Sequence, residues 1–218
     1  MDLNALFEAV VEGDVDAAVE RTKAALESQV APGTILGKAL VPAMDKVGLL
    51  FESGEYFLPE MLVSGLAMRS CMGVLAPELA TSDDVQPVGR VAIGTVKGDV
   101  HDIGKNLVGM MLEGAGFQVI DLGIDVPRER FVQAASDADI VGLSGLVSTT
   151  IPEMAHVLEA MRTAGVREQV KVMVGGAPVT QEYADRIGAD GYAKDAASAA
   201  RKAKALLGIG DGQVGSAR

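Results

Sequence analysis

The 218-residue chain is predicted to combine an N-terminal all-α four-helix bundle with a C-terminal doubly wound α/β domain. Two observations predict this organisation. Apolar residues recur at three- and four-residue steps over the first 80 residues, whereas from Arg90 onward short apolar runs alternate with helical stretches. A polar segment rich in turn formers separates the two patterns. We therefore expect a helical domain at residues 1–80, a linker at 81–89, a sheet domain at 90–207 and a frayed tail at 208–218.

The helical half divides into four amphipathic segments with short connections between them. The first runs from Leu3 to Val11, and Asp14 is the expected N-cap of the second. The third is expected to begin near Pro32 and to end at Ser53-Gly54, and the fourth begins at Leu58. Short connections favour antiparallel neighbours, so we expect a small four-helix bundle.

The second half alternates strand and helix patterns five times. Strands are expected at residues 91–96, 118–122, 140–144, 171–174 and 191–193. Helices are expected at residues 103–115, 128–135, 152–164, 181–187 and 196–207. This alternation predicts a parallel sheet with right-handed crossovers and helices on both faces. Five strands favour a flavodoxin-like strand order over a six-stranded dinucleotide fold.

Composition and charge exclude several classes of function. The chain is 49% hydrophobic and 22% charged, as expected of a globular protein with a substantial core. Its net charge of −11 argues against a nucleic-acid partner and against an anionic membrane surface. We find no basic leader and expect no apolar run that approaches bilayer-spanning length, which makes the cytoplasm the expected location. The single cysteine, Cys71, excludes an internal disulfide and a CxxC metal motif.

The loop after the first predicted strand carries the most informative residues. His101 lies there with Asp99 two residues before it and Gly104 three residues after it. Loops at the carboxyl edge of an open α/β sheet are where ligands bind. Asp99 can accept one ring N–H of His101, which makes the other ring nitrogen a better metal ligand. The second histidine, His156, falls inside a predicted helix and is expected to be structural.

One histidine is too few for an ordinary zinc site, which takes three or four protein ligands. A lone imidazole suits a metal that arrives inside a macrocycle, such as haem or cobalamin. Haem favours an aromatic-lined pocket, but only 4% of the residues are aromatic. The glycine- and serine-rich strand ends, at residues 144–150 and at Gly175-Gly176, suit the polar corrin better. Taken singly, each feature also has a structural explanation. His101 can be a hydrogen-bonded loop histidine, Ser144 a strand-end hydroxyl that bonds to its own backbone, and Gly175-Gly176 a simple turn between strand and helix.

Taken together, the ordered set resembles a known family signature. Asp99-x-His101-x-x-Gly104, followed after 39 intervening residues by Ser144-x-Leu146 and then by Gly175-Gly176, resembles the "base-off, His-on" cobalamin-binding signature. Residues 54–61 resemble the helical cap of methyltransferase-cognate corrinoid proteins, whose cobalamin domain is similar to that of methionine synthase. The resemblance covers about residues 1–207. Each element is weak alone, but the ordered spacing is specific.

The resemblance implies a role for each matching residue. His101 is the implied lower axial ligand to cobalt, replacing the cofactor's dimethylbenzimidazole, with Asp99 hydrogen-bonded to it and Thr150 completing the relay. The remaining implied cofactor-binding residues are Asp102, Gly104, Ser144, Leu146, Ser148, Gly175 and Gly176 in the sheet half, and Phe57, Leu58 and Met61 in the cap. Asp102 is equally explained as an acid at a helix N-terminus, and the three cap residues as bundle core.

The resemblance also implies the function. The chain would carry a methyl group on cobalamin, as cob(I)alamin and methylcobalamin, or on another corrinoid. It would receive the methyl group from a substrate-specific corrinoid methyltransferase. A second methyltransferase would then pass it to tetrahydrofolate or a thiol, and a reductive activase would be a further partner. Such a chain is one component of a methyltransferase system. The sequence leaves open whether the donor is methanol, a methylamine, a betaine or an aromatic methyl ether.

Three alternatives remain. An adenosylcobalamin mutase subunit would share the motif but generally lacks the helical cap. A cobalamin-dependent sensor or regulator can pair a similar cap with a DNA-binding module, yet the chain has no basic helix-turn-helix segment and carries the wrong charge for DNA. A flavodoxin-like domain that binds no corrin would leave the spacing of all three motifs to coincidence.

Overall fold

A computed structural model of the chain describes residues 3–81 and 87–209. The chain divides into two compact units, a helical unit and a sheet unit. Residues 82–86 of the predicted linker and 210–218 of the predicted tail lie outside the described residues. The predicted linker and tail therefore stay predictions.

Within residues 3–81 the helical unit contains four helices, as the sequence predicts. Helix α1 spans Asn4–Glu12, α2 spans Val15–Glu27 and α4 spans Leu58–Thr81. Helix α3 consists of three successive segments: Pro32–Ile35, a π-helical turn at Leu36–Leu40, and Val41–Ser53. The Asp14 side chain accepts the backbone N–H of Ala17 at 3.0 Å, which confirms Asp14 as the N-cap of α2.

Helix α4 packs against both α1 and α2. Two hydrogen bonds reach the carbonyl oxygen of Val11, which lies near the end of α1. They come from Tyr56 Oη, just before α4, at 3.1 Å and from Ser64 Oγ at 2.9 Å. The core of the unit is formed by buried apolar side chains from all four helices, among them Leu6, Val10, Ala18, Ala25, Leu40, Met44, Met61, Met68 and Leu75.

The stretch Leu58–Leu79 of α4 is long and apolar enough to cross a membrane by length and composition alone. The expectation that no apolar run approaches bilayer-spanning length was therefore wrong on this criterion. Part of the stretch is buried inside the structure, and a core helix of a helical bundle passes the same test. Helix α4 packs against α1 and α2 and buries Met61, Met68 and Leu75, whereas Leu62, Val63 and Leu66 on the same helix are exposed.

Within residues 87–209 the sheet unit has five parallel strands in the order β2-β1-β3-β4-β5. The strands are β1 (Arg90–Val96), β2 (Gln118–Val126), β3 (Ile140–Ser144), β4 (Lys171–Gly175) and β5 (Gly191–Ala193). This is the flavodoxin-like order that the sequence predicts. Because all strands run in the same direction, the loops that follow β1, β3 and β4 share one edge of the sheet.

Five α-helices alternate with the strands in this part of the chain. They are α5 (Ile103–Gly114), α6 (Arg128–Ala134), α7 (Pro152–Thr163), α8 (Gln181–Ile187) and α9 (Ala196–Leu206). Each lies within one residue of its predicted bounds. On one face of the sheet, the fully buried side chains of Phe131, Met154 and Leu158 pack over Val141 and Val172.

Strand β2 is longer than predicted, because it continues past Leu122 to Val126. Two irregularities in its register with β1 accommodate Gly123 and Asp125, whose φ angles are 91° and 50°. Glycine and aspartate favour turns, so the local sequence predicts that β2 ends before Gly123. Pairing with β1 outweighs this local preference and extends the strand. The extension carries Asp125 to the loop that follows β1.

Candidate functional site

The loop between β1 and α5 brings Asp99 and His101 into direct contact. The backbone N–H and the ring Nδ1 of His101 lie 3.0 Å and 2.7 Å from Asp99 Oδ1. The Asp99 side chain is fully buried, whereas that of His101 is 51% exposed. The sequence prediction that these two residues form a unit is therefore matched by their geometry.

The second carboxylate oxygen of Asp99 is held by the loop that follows β3. The backbone N–H groups of Leu146 and Val147 donate to Oδ2 at 2.7 Å and 3.0 Å. Thr150 Oγ1 lies 3.1 Å from the same oxygen and 2.8 Å from the carbonyl oxygen of Val147, so two acceptors compete for its single proton. Thr150 thus lies at the position that the predicted relay requires.

These donors set the ionisation of Asp99. Burial alone would raise the pKa of its carboxyl group, because it disfavours the charged form. The hydrogen bonds from the N–H groups of Val147, Leu146 and His101, and from the His101 ring, oppose burial and hold the pKa well below its usual range. Asp99 is therefore an anion that can only accept hydrogen bonds.

An anionic Asp99 fixes the tautomer of His101. The 2.7 Å contact at Nδ1 requires the proton to be on that nitrogen, so in the neutral ring Nε2 carries the free lone pair. No group among the described residues hydrogen-bonds Nε2. A half-exposed imidazole with a fixed Nδ1–H and a free Nε2 is the arrangement found in metal-ligating histidines.

The backbone of this loop is held from two strands, β1 and β2. Thr95, which is fully buried in β1, donates its hydroxyl to the carbonyl oxygen of His101 at 2.8 Å. From β2, Asp125 Oδ1 accepts the N–H of Gly98 at 2.7 Å, and the Asp125 N–H donates to the carbonyl oxygen of Asp99 at 2.9 Å. The loop is therefore positioned by β2 as well as by its own strand.

A buried cation lies at the start of α5. Lys105 is 3% exposed, and its Nζ lies 2.6 Å and 2.7 Å from the two carboxylate oxygens of Asp121 on β2. It also donates to Asn106 Oδ1 at 2.7 Å. Burial raises the pKa of Asp121, but the bonds from Lys105 and from the Gly123 N–H lower it below its usual value. This pair attaches the first turn of α5 to β2.

Exposed apolar side chains surround this edge of the sheet. In the described part of the sheet unit, the large apolar side chains that are well exposed lie at or beyond the carboxyl ends of β1, β2 and β3. They are Val100, Ile103, Ile124, Leu146 and Val147. Apolar patches of this kind on a globular protein mark ligand or partner sites. His101 therefore projects from an apolar surface.

The remaining predicted residues of the sheet half lie in the same loops. Ser144 ends β3, where it pairs with Thr95 of β1 and Gly175 of β4. Ser148 is exposed in the turn after β3, and Asp102 is exposed just before α5, where its Oδ2 accepts from Asn106 Nδ2 at 3.2 Å. The structure assigns none of these three a contact with His101.

Two predicted glycines differ in their surroundings. A Cβ atom on Gly104 would meet nothing within 4 Å, so the space over the first turn of α5 is open. Gly176 has φ of 130°, and a Cβ atom there would lie 1.8 Å from the carbonyl oxygen of Gly145. Gly176 is thus required by the close approach of the β3 and β4 loops, and Gly104 leaves room for a ligand.

The predicted cap residues separate by exposure. Phe57 and Leu58 are 65% and 41% exposed on the surface of the helical unit, whereas Met61 is fully buried in its core. The structural alternative, bundle core, therefore describes Met61. A cap role for Phe57 and Leu58 stays a prediction.

The residues present fit a corrinoid better than a bare ion. Among the described residues, no group of three or more His, Cys, Asp or Glu side chains could hold a metal ion. His101 offers one free nitrogen, exposed apolar side chains lie in the loops of the same sheet edge, and the space over the first turn of α5 at Gly104 is open. A single nitrogen ligand is sufficient where a macrocycle supplies the other equatorial ligands.

Sequence reasoning missed the backbone supports of the site, including Thr95, Asp125 and the N–H groups of Leu146 and Val147. Leu146 was predicted as a lining residue, yet its hydrogen bond to Asp99 is made by its backbone N–H. Backbone donors leave no trace in residue identity. Thr95 at the end of an otherwise apolar strand was the one available signal.

Comparison with known proteins agrees with this geometry. Residues 89–201 match a family model described as a B12 binding domain, and residues 2–76 match a second model with the same description. Dimethylamine corrinoid protein 2 of Methanosarcina acetivorans is 45% identical over 210 residues, covering 94% of this chain and 95% of that protein.

Solved structures are also similar. A cobalamin-binding protein from Desulfitobacterium hafniense has a TM-score of 0.79 and 33% identity, covering 94% of this chain and 98% of that one. The methanol:cobalamin methyltransferase complex of Methanosarcina barkeri contains a chain with a TM-score of 0.79 and 28% identity, covering 96% of this chain and 81% of that one. The cofactor class is a corrinoid, and the chain belongs to the family of B12-binding corrinoid proteins.

Proposed function

We propose that this chain is a methyl-carrying corrinoid protein that receives its methyl group from a methylamine-specific methyltransferase. The observation that carries the proposal is the buried, anionic Asp99, which fixes the His101 ring with Nε2 free on an exposed apolar surface. The methyl-carrier function is favoured over the sensor and mutase alternatives because the relatives named above are corrinoid proteins and a methyltransferase complex.

His101 is the proposed lower axial ligand, through Nε2. When bound, the corrinoid supplies a cobalt nucleophile that can accept a methyl group and give it up again. The protein's contribution is to ligate and orient. Asp99 holds the ring, Thr150 and the N–H groups of Leu146 and Val147 hold Asp99, and Gly104 leaves open space over the first turn of α5. These supports fix the direction of Nε2 within a rigid frame.

The methylamine assignment follows from similarity. The relative that is 45% identical over nearly the whole chain is named for dimethylamine, whereas the chain in the methanol-specific complex is 28% identical. The proposed partners are therefore a methylamine methyltransferase, a second methyltransferase with tetrahydrofolate or a thiol as acceptor, and a reductive activase. A carrier that exchanges between such enzymes is expected in the cytoplasm.

A reconstitution experiment tests the ligand. Apoprotein is mixed with cobalamin, and its absorption spectrum is compared with those of His101→Ala and of the matched control His156→Ala. His156 lies on α7, where its Nδ1 lies 2.9 Å from Glu153 Oε1 on the same helix. We expect a His-ligated, base-off spectrum in the wild type and in His156→Ala, and a different spectrum in His101→Ala. Identical spectra for all three proteins would exclude His101 as the ligand.

A second experiment tests the donor. The reduced, reconstituted protein is offered monomethylamine, dimethylamine, trimethylamine or methanol, each with a methyltransferase specific for that donor. We expect the fastest demethylation with dimethylamine. Faster turnover with methanol would contradict the methylamine assignment and leave the carrier function intact.

A further inference from the structure

Asp125, at the end of β2, holds the loop that carries Asp99 and His101 at three points. Its Oδ1 accepts the N–H of Gly98 at 2.7 Å, and its backbone N–H donates to the carbonyl oxygen of Asp99 at 2.9 Å. Its Oδ2 accepts from Lys97 Nζ at 3.0 Å. One residue thus binds three consecutive residues, Lys97, Gly98 and Asp99, and the last of them is two positions before His101.

The backbone of Asp125 has an unusual conformation. Asp125 and Gln29 are the two non-glycine residues with positive φ in the part of the chain that the structure describes, and φ of Asp125 is 50°. This conformation disfavours most side chains, although aspartate tolerates it better than most. Residues held in such conformations are often found where function requires a particular geometry.

The loop is confined on its other side as well. Gly98 has φ of 83°, and a Cβ atom there would lie 3.3 Å from Cγ2 of Thr150. The side chain of Asp99 is held by the β3 loop, while its carbonyl oxygen is held by Asp125. His101 follows two residues later, so its position depends on both attachments.

We propose that Asp125 is a positioning residue for the axial ligand His101, acting through the backbone of Gly98 and Asp99. This inference rests on the proposed function, in which His101 ligates the corrinoid. Ligand groups must be held within roughly 0.5 Å of their working geometry, and supporting hydrogen bonds provide that precision. The Lys97 pair is exposed and contributes little by itself, so the bonds to Gly98 and Asp99 are the important ones.

Three variants separate this role from a general effect on stability. Asp125→Gly removes the carboxylate and relieves the positive φ, so the sheet unit should stay folded while the loop loses its attachment at Gly98. Asp125→Asn keeps an acceptor oxygen and also tolerates positive φ. Asp190→Asn is the matched control. Asp190 also bonds to a basic side chain, Arg167, and to backbone groups, the N–H and the carbonyl oxygen of Val172, but these lie near the amino end of β4.

The readouts are the absorption spectrum and affinity of cobalamin, urea unfolding, and hydrogen exchange of the Gly98 amide in the apoprotein. Asp125→Gly should lower cobalamin affinity by about 10-fold and reduce the His-ligated fraction. Its Gly98 amide should exchange faster, and its urea midpoint should not fall. Asp125→Asn should retain most of the affinity, and Asp190→Asn should match the wild type in spectrum and affinity.

The proposal is overturned if Asp125→Gly has the wild-type spectrum and affinity. It is equally overturned if Asp125→Gly unfolds at markedly lower urea concentration, since the residue would then serve stability. A His101→Ala arm keeps the two hypotheses apart. If His101→Ala and the wild type have the same spectrum, the proposed ligand is wrong. If they differ while Asp125→Gly matches the wild type, only the positioning role is wrong.

Discussion

Asp99 Oδ1 lies 2.7 Å from Nδ1 of His101, and the carboxylate is fully buried while the imidazole is half exposed. The contact joins a fixed interior anion to a ring on the surface. Because the anion is held by backbone N–H groups of a neighbouring loop, the ring takes its orientation from the sheet itself. The orientation of Nε2 is therefore a property of the fold before any cofactor binds.

Asp99→Asn should impair both stability and ligation. The carboxylate of Asp99 has two acceptor oxygens, whereas the amide of asparagine has one. The NH₂ group of the amide would therefore face the N–H donors that now bond to one of the two carboxylate oxygens. Leaving buried donors unsatisfied should lower the free energy of unfolding by about 2 kcal/mol. Urea unfolding of the apoprotein measures this loss, with Asp137→Asn, an exposed carboxylate of the same unit, as control. Equal midpoints for Asp99→Asn and the wild type would contradict the prediction.

The low pKa of Asp99 predicts an acid-dependent stability. The folded-state pKa lies below the unfolded value of about 3.9, so the contribution is full above that value and is lost as the pH falls towards the folded pKa. Unfolding free energies of the wild type and Asp99→Asn are measured between pH 6 and pH 3. Since Asp121 and Asp125 also have lowered pKa values, only the difference between the two proteins isolates Asp99. We expect that difference to narrow below pH 4, and a constant difference would exclude the buried anion.

Thr150→Val and Thr150→Ser test the third member of the relay. Valine keeps the shape and removes the hydroxyl that lies 3.1 Å from Asp99 Oδ2, whereas serine keeps the hydroxyl. We expect Thr150→Val to cost about 1 kcal/mol of stability and to weaken cobalamin binding several-fold, with Thr150→Ser close to the wild type. Cobalamin titration and urea unfolding check both effects. If serine behaved like valine, the methyl group and not the hydroxyl would be the important part.

The elements predicted well are those whose signal is local. The spacing of Asp99 and His101 makes their contact nearly unavoidable on a short loop, and apolar runs located β3 and β5 at their observed bounds. The parallel direction of the five strands follows from the alternation of strand and helix. These features depend on neighbours in sequence, so one sequence suffices to predict them.

The elements missed depend on contacts distant in sequence. Strand β2 continues through Gly123 and Asp125 because β1 pairs with it, although both residues locally favour a turn. Lys105 appears as a polar helix residue, yet the structure buries it against Asp121, 16 positions later. Nothing in the local pattern distinguishes a buried ion pair from two exposed charges.

The space over Gly104 is open. A Cβ atom there would touch nothing within 4 Å, and Gly104 lies in the first turn of α5. Because alanine favours helix over glycine by up to about 1 kcal/mol, Gly104→Ala should keep or slightly raise the unfolding free energy. The same methyl group would occupy the open space at the start of the helix that follows the His101 loop, where we propose that the cofactor binds, and should weaken cobalamin binding.

Gly176→Ala provides the contrast. There the methyl group would lie 1.8 Å from the carbonyl oxygen of Gly145, and the φ of Gly176 is 130°. The loops after β3 and β4 must therefore separate, and the free energy of unfolding should fall by about 3 kcal/mol or more. Urea unfolding and cobalamin titration are measured on both variants. Loss of affinity without loss of stability in Gly104→Ala, and loss of both in Gly176→Ala, would distinguish a ligand-facing glycine from a packing glycine. Wild-type affinity in Gly104→Ala would place the cofactor elsewhere on this edge of the sheet.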